Sequence, residues 1–454
     1  MSDPNPTPGE PNRTTFTEAV SREPVGAFQF AIVALVTLSL VLDGIDFQIL
    51  PLVAPSIVGE WGVARAEFGW PLSAALVGMG IGAFFGGRLG DRLGRHAMLT
   101  ASIVLFGLAT LVTALAENVA TMTLLRFVGG LGFGAVGPNC LALSSEWMPQ
   151  RYRTYVVAVL AIGTPAGTMI GAALIPLLEP QFGWRGTHAI FGLASIALGL
   201  LIMLIVRESP SYLLSRGKAA LAHHYARIVI PAKIELQPEA AAETKGGPAI
   251  GVFHRSNLRL NVGIGASFVA SAAIFYGLTS WSPLMLEGLG FAKDQLANAN
   301  FALGLVSVFA ALLGGYVVRA FGSKRVMGLC AVLTGASVIV LALVIEGIGL
   351  APSPAERWAV YALIGFAGGA ASVGVTTIYA MMTLGYPVSC RSAGIGYGML
   401  MGRIGGVLMS LAGGYLLDLW SGSVVPFFAV VVLCALVVGS SVAVIDRHIP
   451  RPGR

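Results

Sequence analysis

Two acidic residues lie inside an apolar stretch near the start of the chain, where residues 42–48 read LDGIDFQ. Asp43 and Asp46 are three residues apart, so on a helix both side chains project from the same face. A charged side chain at the bilayer centre costs about 2.5–3.5 kcal/mol on insertion scales, so the two acids must be paired, hydrated or protonated. Gly44 between them lets another backbone approach closely. Two interpretations remain open here: structural charges that lock helices together, or a site that carries protons or ions.

Arg126 and Arg403 also lie inside apolar stretches. A helical rise of about 1.5 Å per residue places Arg126 at a depth similar to that of the two aspartates. An ion pair between Arg126 and one aspartate would offset the cost of burying both charges and leave the other aspartate free to exchange a proton. We therefore predict that Asp43 and Asp46 couple to protons, and either of them could be the group that titrates. Arg403 has no acid near it in its own stretch, where Asp418 lies at the far end. Its guanidinium would therefore bind a carboxylate or, alternatively, an interhelical partner.

The elements that hold these charges are predicted to be membrane-spanning helices. Of the 454 residues, 56% are hydrophobic and only 11% are charged, and the mean hydropathy is +0.80. Soluble domains carry about 25% charged residues, so this composition indicates a protein that crosses a membrane many times. A crossing needs about 20 apolar residues, and twelve stretches meet that length. They are predicted at 27–50, 67–88, 96–117, 121–145, 154–178, 187–206, 258–286, 297–318, 325–347, 357–385, 392–418 and 424–445.

One long polar connection divides these spans into two groups of six, which predicts an all-α membrane protein made of two six-helix bundles. The predicted domains are a disordered cytoplasmic N-terminal tail (1–26), a first bundle (27–206), a cytoplasmic linker (207–257), a second bundle (258–445) and a cytoplasmic C-terminal tail (446–454).

Basic residues set the predicted orientation. Most of the 28 lysines and arginines fall on the side that holds both termini. The loops of the other side carry only Arg65, Arg185, Lys293 and Arg357. The positive-inside rule then places both termini in the cytoplasm, with the chain in the cytoplasmic (inner) membrane.

Several function classes find no support in the sequence. The net charge of +6 is scattered over membrane loops and does not indicate nucleic-acid binding. The four cysteines are far apart and the six histidines lack ligand spacing, so we expect neither a disulfide framework nor a metal site. A nucleotide-binding loop and a nucleophile–base set are also missing, so we expect a protein that is not an enzyme and needs no cofactor. We expect it to function as a monomer in the bilayer.

The loop between the second and third predicted spans carries the most specific motif. Residues 87–95 read GRLGDRLGR, and the same glycine spacing recurs at 315–325 in the second half. Asp91 can accept hydrogen bonds from a helix N-terminus or an arginine, in contacts that break and reform. The motif resembles the loop G-x-L-x-D-R-x-G-R of the major facilitator superfamily, which implies two pseudo-symmetric bundles around a midplane site. The predicted cytoplasmic gate consists of Asp91, Arg92, Arg95, Glu146 and Arg151.

Within that superfamily the chain is most similar to the aromatic acid:proton symporters. The family pattern D-G-x-D matches residues 43–46, and R-F-x-x-G-x-G-x-G matches 126–134. Residues 207–213 read RESPSYL, near the family's P-E-S-P-R-[WF]-L, and 402–405 read GRIG. The resemblance implies a symporter that imports a small aromatic carboxylate, such as a hydroxybenzoate, with a proton. The alternatives are a transporter of a non-aromatic organic acid and a drug/proton antiporter, which would have no need of Arg403.

The resemblance also implies a pocket for an aromatic ring. Residues 275–283 read FYGLTSWSP, similar to the family's run Y-F-x-x-S-W-x-P. Trp281 could instead belong to an interfacial aromatic belt. Asn139 would bond a ring hydroxyl or, alternatively, a neighbouring helix. The predicted substrate-binding residues are Arg126, Arg403, Asn139, Phe275, Tyr276 and Trp281.

Overall fold

The computed structural model describes residues 13–231, 234–238, 251–348, 352–387, 390–420 and 423–450. Over these ranges the regular secondary structure is helical, apart from two short strands, β1 (Arg13–Thr15) and β2 (Glu235–Gln237). In chain order the helices are α1 (Phe16–Arg22), α2 (Ala27–Trp61), α3 (Gly69–Leu93), α4 (Arg95–Thr113), α5 (Val119–Trp147), α6 (Arg153–Ile205), α7 (Pro210–Ser215), α8 (Ala219–Ala226), α9 (Leu258–Gly288), α10 (Lys293–Phe321), α11 (Ser323–Gly347), α12 (Pro354–Gly385), α13 (Arg391–Asp418) and α14 (Val425–Val444).

Most of these helices are long enough to cross a bilayer. Among the described residues, ten are sufficiently long and apolar, and α10 is an eleventh if its two parts, bent by 49°, count as one span. α6 runs for 53 residues, but Gly183 within it has φ 66° and ψ 177°, outside the helical region. At about 1.5 Å per residue, a straight helix of this length would measure about 80 Å, well beyond the hydrocarbon thickness of about 30 Å. The spans predicted at 154–178 and 187–206 lie on either side of this turn.

α2 differs from its prediction at one end. It continues to Trp61, beyond the predicted end at residue 50, and contains Pro51 and Pro55. A proline removes one backbone hydrogen bond, but neighbouring helices and side chains satisfy the freed groups in membrane helices. Both prolines are at least partly buried among neighbours, so the helix passes through them.

Each half is built from pairs of packed helices. In the first half α3 packs against α5, α2 against α6, and α4 against both α5 and α6. In the second half α10 packs against α12, α9 against α13 and α14, and α11 against α12 and α14. The predicted close approach at Gly44 is confirmed, because a Cβ there would overlap the carbonyl oxygen of Thr164 on α6.

The two halves meet at the end of the molecule that holds the α2–α3 connection. A 3-10 turn at Arg65–Phe68 packs on α13, and α3, α6 and α2 contact α13, α10 and α9 respectively. A Cβ at Gly69 would lie 2.9 Å from the carbonyl oxygen of Ser410, so backbones pass very closely here. One buried apolar core runs across this junction and includes Ile49 and Leu303. The structure is therefore closed at this end.

The N-terminal segment is more ordered than predicted. β1 pairs in parallel with β2 of the linker, and Phe16 at the start of α1 is fully buried with its ring edge-on to Trp147 at 5.5 Å. The prediction of a disordered tail over 1–26 is thus wrong for residues 13–22, whereas 1–12 lie outside the described residues. The overlooked signal is a helix start, since the Thr15 hydroxyl accepts the backbone N–H of Glu18 at 3.3 Å.

Candidate substrate and proton site

The two aspartates of α2 project into the interior of the protein. Asp43 is 5% exposed and Asp46 is 9% exposed. Because Gly44 lets α6 approach α2, the environment of both carboxylates is protein and not lipid. Their partners differ, and this difference organises the site.

Asp46 is held by two strong donors. Nη1 of Arg126, on α5, donates to Oδ2 of Asp46 at 2.7 Å. The hydroxyl of Thr110, on α4, donates to Oδ1 at 3.0 Å. Arg126 is 6% exposed, so this is a buried ion pair whose desolvation cost is offset by short, charge-assisted hydrogen bonds. Of the two candidates, Asp46 is therefore the aspartate that pairs with Arg126.

Arg126 has a second partner that sequence reasoning missed. Its Nη2 lies 2.8 Å from Nε2 of His188, a fully buried residue in the second part of α6. The only signal in the sequence was the presence of a histidine inside an apolar span, since ionisable residues in such spans are rare and usually functional.

Asp43 has a weaker set of contacts. The hydroxyl of Thr164, on α6, donates to Oδ2 of Asp43 at 3.0 Å. In the part of the chain that the structure describes, no guanidinium hydrogen-bonds to Asp43, although Arg403 and Asp46 are close enough to interact with it electrostatically. Asp43 is thus a buried carboxylate without an ion-pair partner.

Arg403 extends from α13 into the space between the halves. Its Nη1 donates to the hydroxyl of Tyr276, on α9, at 2.8 Å and lies 4.0 Å from the sulfur of Met79, on α3. Tyr379, on α12, also lies within electrostatic range of Arg403 and was not anticipated from the sequence. The residue is partly exposed.

Aromatic rings surround this arginine. The ring of Phe47, on α2, packs edge-on against Tyr276 with centroids 5.3 Å apart. Phe275 packs against the same tyrosine at 5.6 Å. The Phe47–Tyr276 contact joins the two halves directly beside Arg403, and edge-to-face geometry is a favourable arrangement for such rings.

A small cavity lies next to the aspartates. Its volume is about 40 Å³, and it is lined by Asp43, Asp46, Arg126, Phe47, Phe106 and Phe133, among others. A buried water needs roughly 10–15 Å³ on this scale, so the cavity has room for a few waters and excludes an aromatic acid. In this conformation the aspartates thus adjoin space for water and not for a ring.

Two predicted substrate ligands, Asn139 and Trp281, take part in helix packing in this conformation. Asn139 is 2% exposed and donates to the carbonyl oxygens of Gly86 and Ala135, so it joins α5 to α3. Trp281 is fully buried and packs over Gly413 of α13. Both side chains serve helix packing, because each is enclosed by backbone atoms of a neighbouring helix or its own.

A comparison with known protein families identifies the architecture. The sequence model of a family described as Major Facilitator Superfamily matches residues 36–305 and 284–453. The chain belongs to the major facilitator superfamily. The predicted resemblance of the loop at 87–95 is thereby confirmed at the level of the family.

Similar proteins within and around the superfamily agree with this assignment. The chain is 30% identical over 322 residues to the 4-hydroxybenzoate transporter PcaK of Pseudomonas aeruginosa, covering 70% of this chain and 72% of the relative. It is 28% identical over 401 residues to the gallate transporter of Pseudomonas putida, covering 86% and 85%. The solved structure of the xylose transporter XylE from E. coli, in a partially occluded inward-open conformation, superposes with a TM-score of 0.71. That structure is 16% identical, with 93% of this chain and 99% of that chain covered, and so shows the fold alone.

The chain is therefore a multi-pass membrane transporter of the major facilitator superfamily, and its relatives carry the names of aromatic acid transporters. Proteins of this kind move solutes and are not enzymes, in agreement with the sequence. The predicted membrane location agrees with the long apolar helices.

The superfamily loop organises part of the predicted cytoplasmic gate. Nη2 of Arg95 lies 3.2 Å from Oδ1 of Asp91, and Nη1 lies 2.7 Å from Oε1 of Glu146. These three residues come from α4, α3 and α5, so they join helices within the first half.

Two other predicted gate residues have different roles. The side chain of Arg151 donates to the carbonyl oxygen of Glu23 at 3.2 Å and so binds the N-terminal segment. Arg92 contributes its carbonyl oxygen, which accepts the hydroxyl of Tyr212 at 2.8 Å. The contacts that the structure describes for these two arginines therefore link the gate region to the N-terminal segment and to α7.

Glu208 is a member of this network that sequence reasoning missed. Its carboxylate accepts the backbone N–H groups of Arg95 and His96 at 3.2 Å each. It therefore caps the N-terminus of α4, where unpaired N–H groups and the helix dipole favour an anion.

Proposed function

We propose that this chain is a proton-coupled symporter that imports a small aromatic carboxylate by alternating access. One observation carries the proposal: Arg403, bonded to the Tyr276 hydroxyl between the halves, lies beside Asp43, a carboxylate that no described guanidinium binds. Co-transport of an anion and a proton requires a cation that can bind the anion and, beside it, an acid that can take up the proton. Arg403 and Asp43 each hydrogen-bond a neutral hydroxyl group, so both can serve in this way. The names of the relatives, transporters of 4-hydroxybenzoate and of gallate, support the substrate class.

Arg403 would bind the carboxylate of the substrate. In the described residues both hydrogen bonds of its guanidinium start from Nη1. Nη2 and Nε therefore remain available, and together they can donate two parallel bonds to one carboxylate. Tyr276 and Phe47 offer ring edges beside that position, and the Tyr379 hydroxyl lies within reach of the same charge.

Asp43 would carry the coupling proton. It accepts a hydrogen bond from the neutral hydroxyl of Thr164, a contact that persists whether or not the carboxyl is protonated. Asp46 differs, because Arg126 and Thr110 engage both of its oxygens. Protonation of Asp46 would break a buried ion pair, whereas protonation of Asp43 breaks none. Between the two aspartates, we therefore assign coupling to Asp43.

We further propose twelve spans with both termini in the cytoplasm and one chain as the functional unit. Dividing α6 at Gly183 turns one long helix into two crossings, and counting the bent α10 as one crossing brings the total to twelve. The closed α2–α3 end would then face outward, and the conformation would be inward-facing. A fluorescent protein fused after the C-terminus tests this orientation, since fluorescence requires a cytoplasmic location. A fusion that is produced at normal levels but does not fluoresce would contradict it.

Uptake into proteoliposomes tests the transport function. We expect labelled 4-hydroxybenzoate to accumulate under an inside-alkaline pH gradient, with unlabelled benzoate and gallate as competitors and gluconate without effect. Collapse of the gradient with a protonophore should abolish accumulation. Gradient-independent uptake would contradict proton coupling, and inhibition by gluconate but not by benzoate would favour an aliphatic organic acid.

A further inference from the structure

One buried histidine beside the site has no role in the mechanism proposed above. His188 follows the turn at Gly183 on α6 and is fully buried. Its Nε2 lies 2.8 Å from Nη2 of Arg126, and its Nδ1 lies 2.8 Å from the carbonyl oxygen of Trp184. Both ring nitrogens are therefore engaged, each by a different kind of group.

These two partners determine the tautomer. A carbonyl oxygen can only accept, so Nδ1 of His188 carries the proton and donates it to Trp184. A guanidinium can only donate, so Nε2 is unprotonated and accepts from Arg126. A second proton on Nε2 would face the N–H groups of a cation whose other end is bound to Asp46. The geometry thus requires a neutral imidazole.

The carbonyl oxygen that orients His188 belongs to Trp184, and contacts nearer the molecular surface hold Trp184 in place. The indole N–H of Trp184 donates to Glu60 of α2 at 2.7 Å, and Glu60 pairs with Arg185. The rings of Trp184 and His188 pack edge-on with centroids 5.8 Å apart. Arg126 is the charged group that contacts the imidazole, and Glu60 and Arg185 lie beyond the indole. The histidine is therefore held rigidly toward Arg126.

We propose that His188 is a positioning residue that accepts a hydrogen bond from Arg126 and thereby holds the guanidinium against Asp46. With Nη1 on Asp46 and Nη2 on His188, both ends of the guanidinium are occupied, so Arg126 does not turn toward the substrate. This inference rests on the proposed function, because it leaves the coupling proton to Asp43 and the substrate carboxylate to Arg403. It removes Arg126 from the predicted substrate ligands.

A buried histidine near two carboxylates could alternatively relay protons, and one substitution separates the two roles. In His188→Gln an amide oxygen can accept the bond from Arg126, but an amide does not gain or lose a proton near neutral pH. In His188→Met a side chain of similar length offers no comparable acceptor. Thr187→Val is the matched control, because Thr187 is buried in the same turn and its hydroxyl donates to the carbonyl oxygen of Gly183, a bond within α6.

The first measurement is gradient-driven uptake of 4-hydroxybenzoate by these variants. Loss of a hydrogen bond to a charged group corresponds to about a ten-fold or larger effect, so His188→Met should lower the initial rate by at least that factor. We expect His188→Gln to accumulate substrate within about three-fold of the unaltered protein, and Thr187→Val to match it. Failure of His188→Gln to accumulate substrate, with substrate exchange intact, would overturn the proposal in favour of a relay.

The second measurement is a double-mutant cycle on the unfolding temperature in detergent, with Arg126→Lys as the partner variant. A lysine ammonium can keep the ion pair with Asp46, but it has no second nitrogen that could donate a hydrogen bond to His188. We expect His188→Met to lower the unfolding temperature clearly in the Arg126 background and little in the Arg126→Lys background. Equal shifts in both backgrounds would overturn the proposal. Because this cycle needs no transport, it still tests His188 if the proposed aromatic acid uptake fails.

Discussion

Asparagine substitution at Asp43 should uncouple transport without unfolding the protein. Asp43 accepts one hydrogen bond, from Thr164 at 3.0 Å, and an amide oxygen can accept the same bond. No described ion pair is lost, and the adjoining cavity of about 40 Å³ has room for water beside the new amide. We therefore expect Asp43→Asn to change the free energy of unfolding by only about 1 kcal/mol.

The effect on coupling is expected to be much larger. If one proton accompanies one substrate anion, each pH unit of gradient supplies about 1.4 kcal/mol, or about ten-fold accumulation. An inside-alkaline gradient of about two units would thus sustain about a hundred-fold accumulation. Asp43→Asn should reduce the accumulation ratio to about one, while exchange of labelled for unlabelled 4-hydroxybenzoate continues. Both quantities can be measured in the same proteoliposomes.

The same substitution three residues later provides the control. Asp46→Asn leaves the buried guanidinium of Arg126 without its carboxylate, and breaking a buried pair in this way costs about 3–5 kcal/mol. We expect Asp46→Asn to unfold at a markedly lower temperature in detergent, unlike Asp43→Asn. The reasoning would be refuted if Asp43→Asn accumulated substrate normally, or if Asp46→Asn were as stable as the unaltered protein.

Three further predictions concern the anion site, the helix packing and the N-terminal segment. Arg403→Lys keeps the charge but loses the two parallel N–H donors of the guanidinium, so the KM for 4-hydroxybenzoate should rise about ten-fold or more in uptake kinetics. An unchanged KM would contradict the proposal that Arg403 binds the substrate carboxylate. Gly44→Ala would overlap a carbonyl oxygen of α6 and should destabilise the protein by about 1–3 kcal/mol in thermal unfolding, whereas Gly59→Ala, with no atom within 4 Å, should be neutral. Phe16→Ala should release α1 from Trp147, detected as faster protease cleavage of the N-terminal segment at unchanged uptake.

The helical architecture was predictable because apolar length determines membrane crossings. Predicted and observed spans agree to within a few residues at most ends. The exceptions have local causes. The predicted span ends at residue 50, whereas α2 continues through Pro51 and Pro55, both of which are buried. The N-terminal segment looked disordered from its polar composition, but three buried apolar side chains on α1 are enough to fix it: Phe16, Ala19 and Val20.

The site was predictable only where charge was conspicuous. Asp43, Asp46, Arg126 and Arg403 are rare in apolar spans, so the sequence marks them. The hydroxyl donors that distinguish the two aspartates look like ordinary packing residues and come from distant helices, at positions 110 and 164. The direction of a side chain is equally hidden in a sequence, which is why Asn139 was left open between a ring hydroxyl and a neighbouring helix, whereas the structure gives its bonds to Gly86 and Ala135.

The distribution of strong and weak contacts suits a protein whose halves must separate. Around the site the ion pair between Asp46 and Arg126 lies inside the first half, where it need not break. Two contacts that cross between the halves nearby involve neutral groups: the amide of Asn300, on α10, donates to the amide oxygen of Gln48 at 3.1 Å, and Phe47 packs on Tyr276. A neutral hydrogen bond contributes about 0.5–1.5 kcal/mol net, far less than the cost of breaking a buried charge pair. Breaking these two neutral contacts therefore costs little, and the ion pair between Asp46 and Arg126 need not break when the halves move.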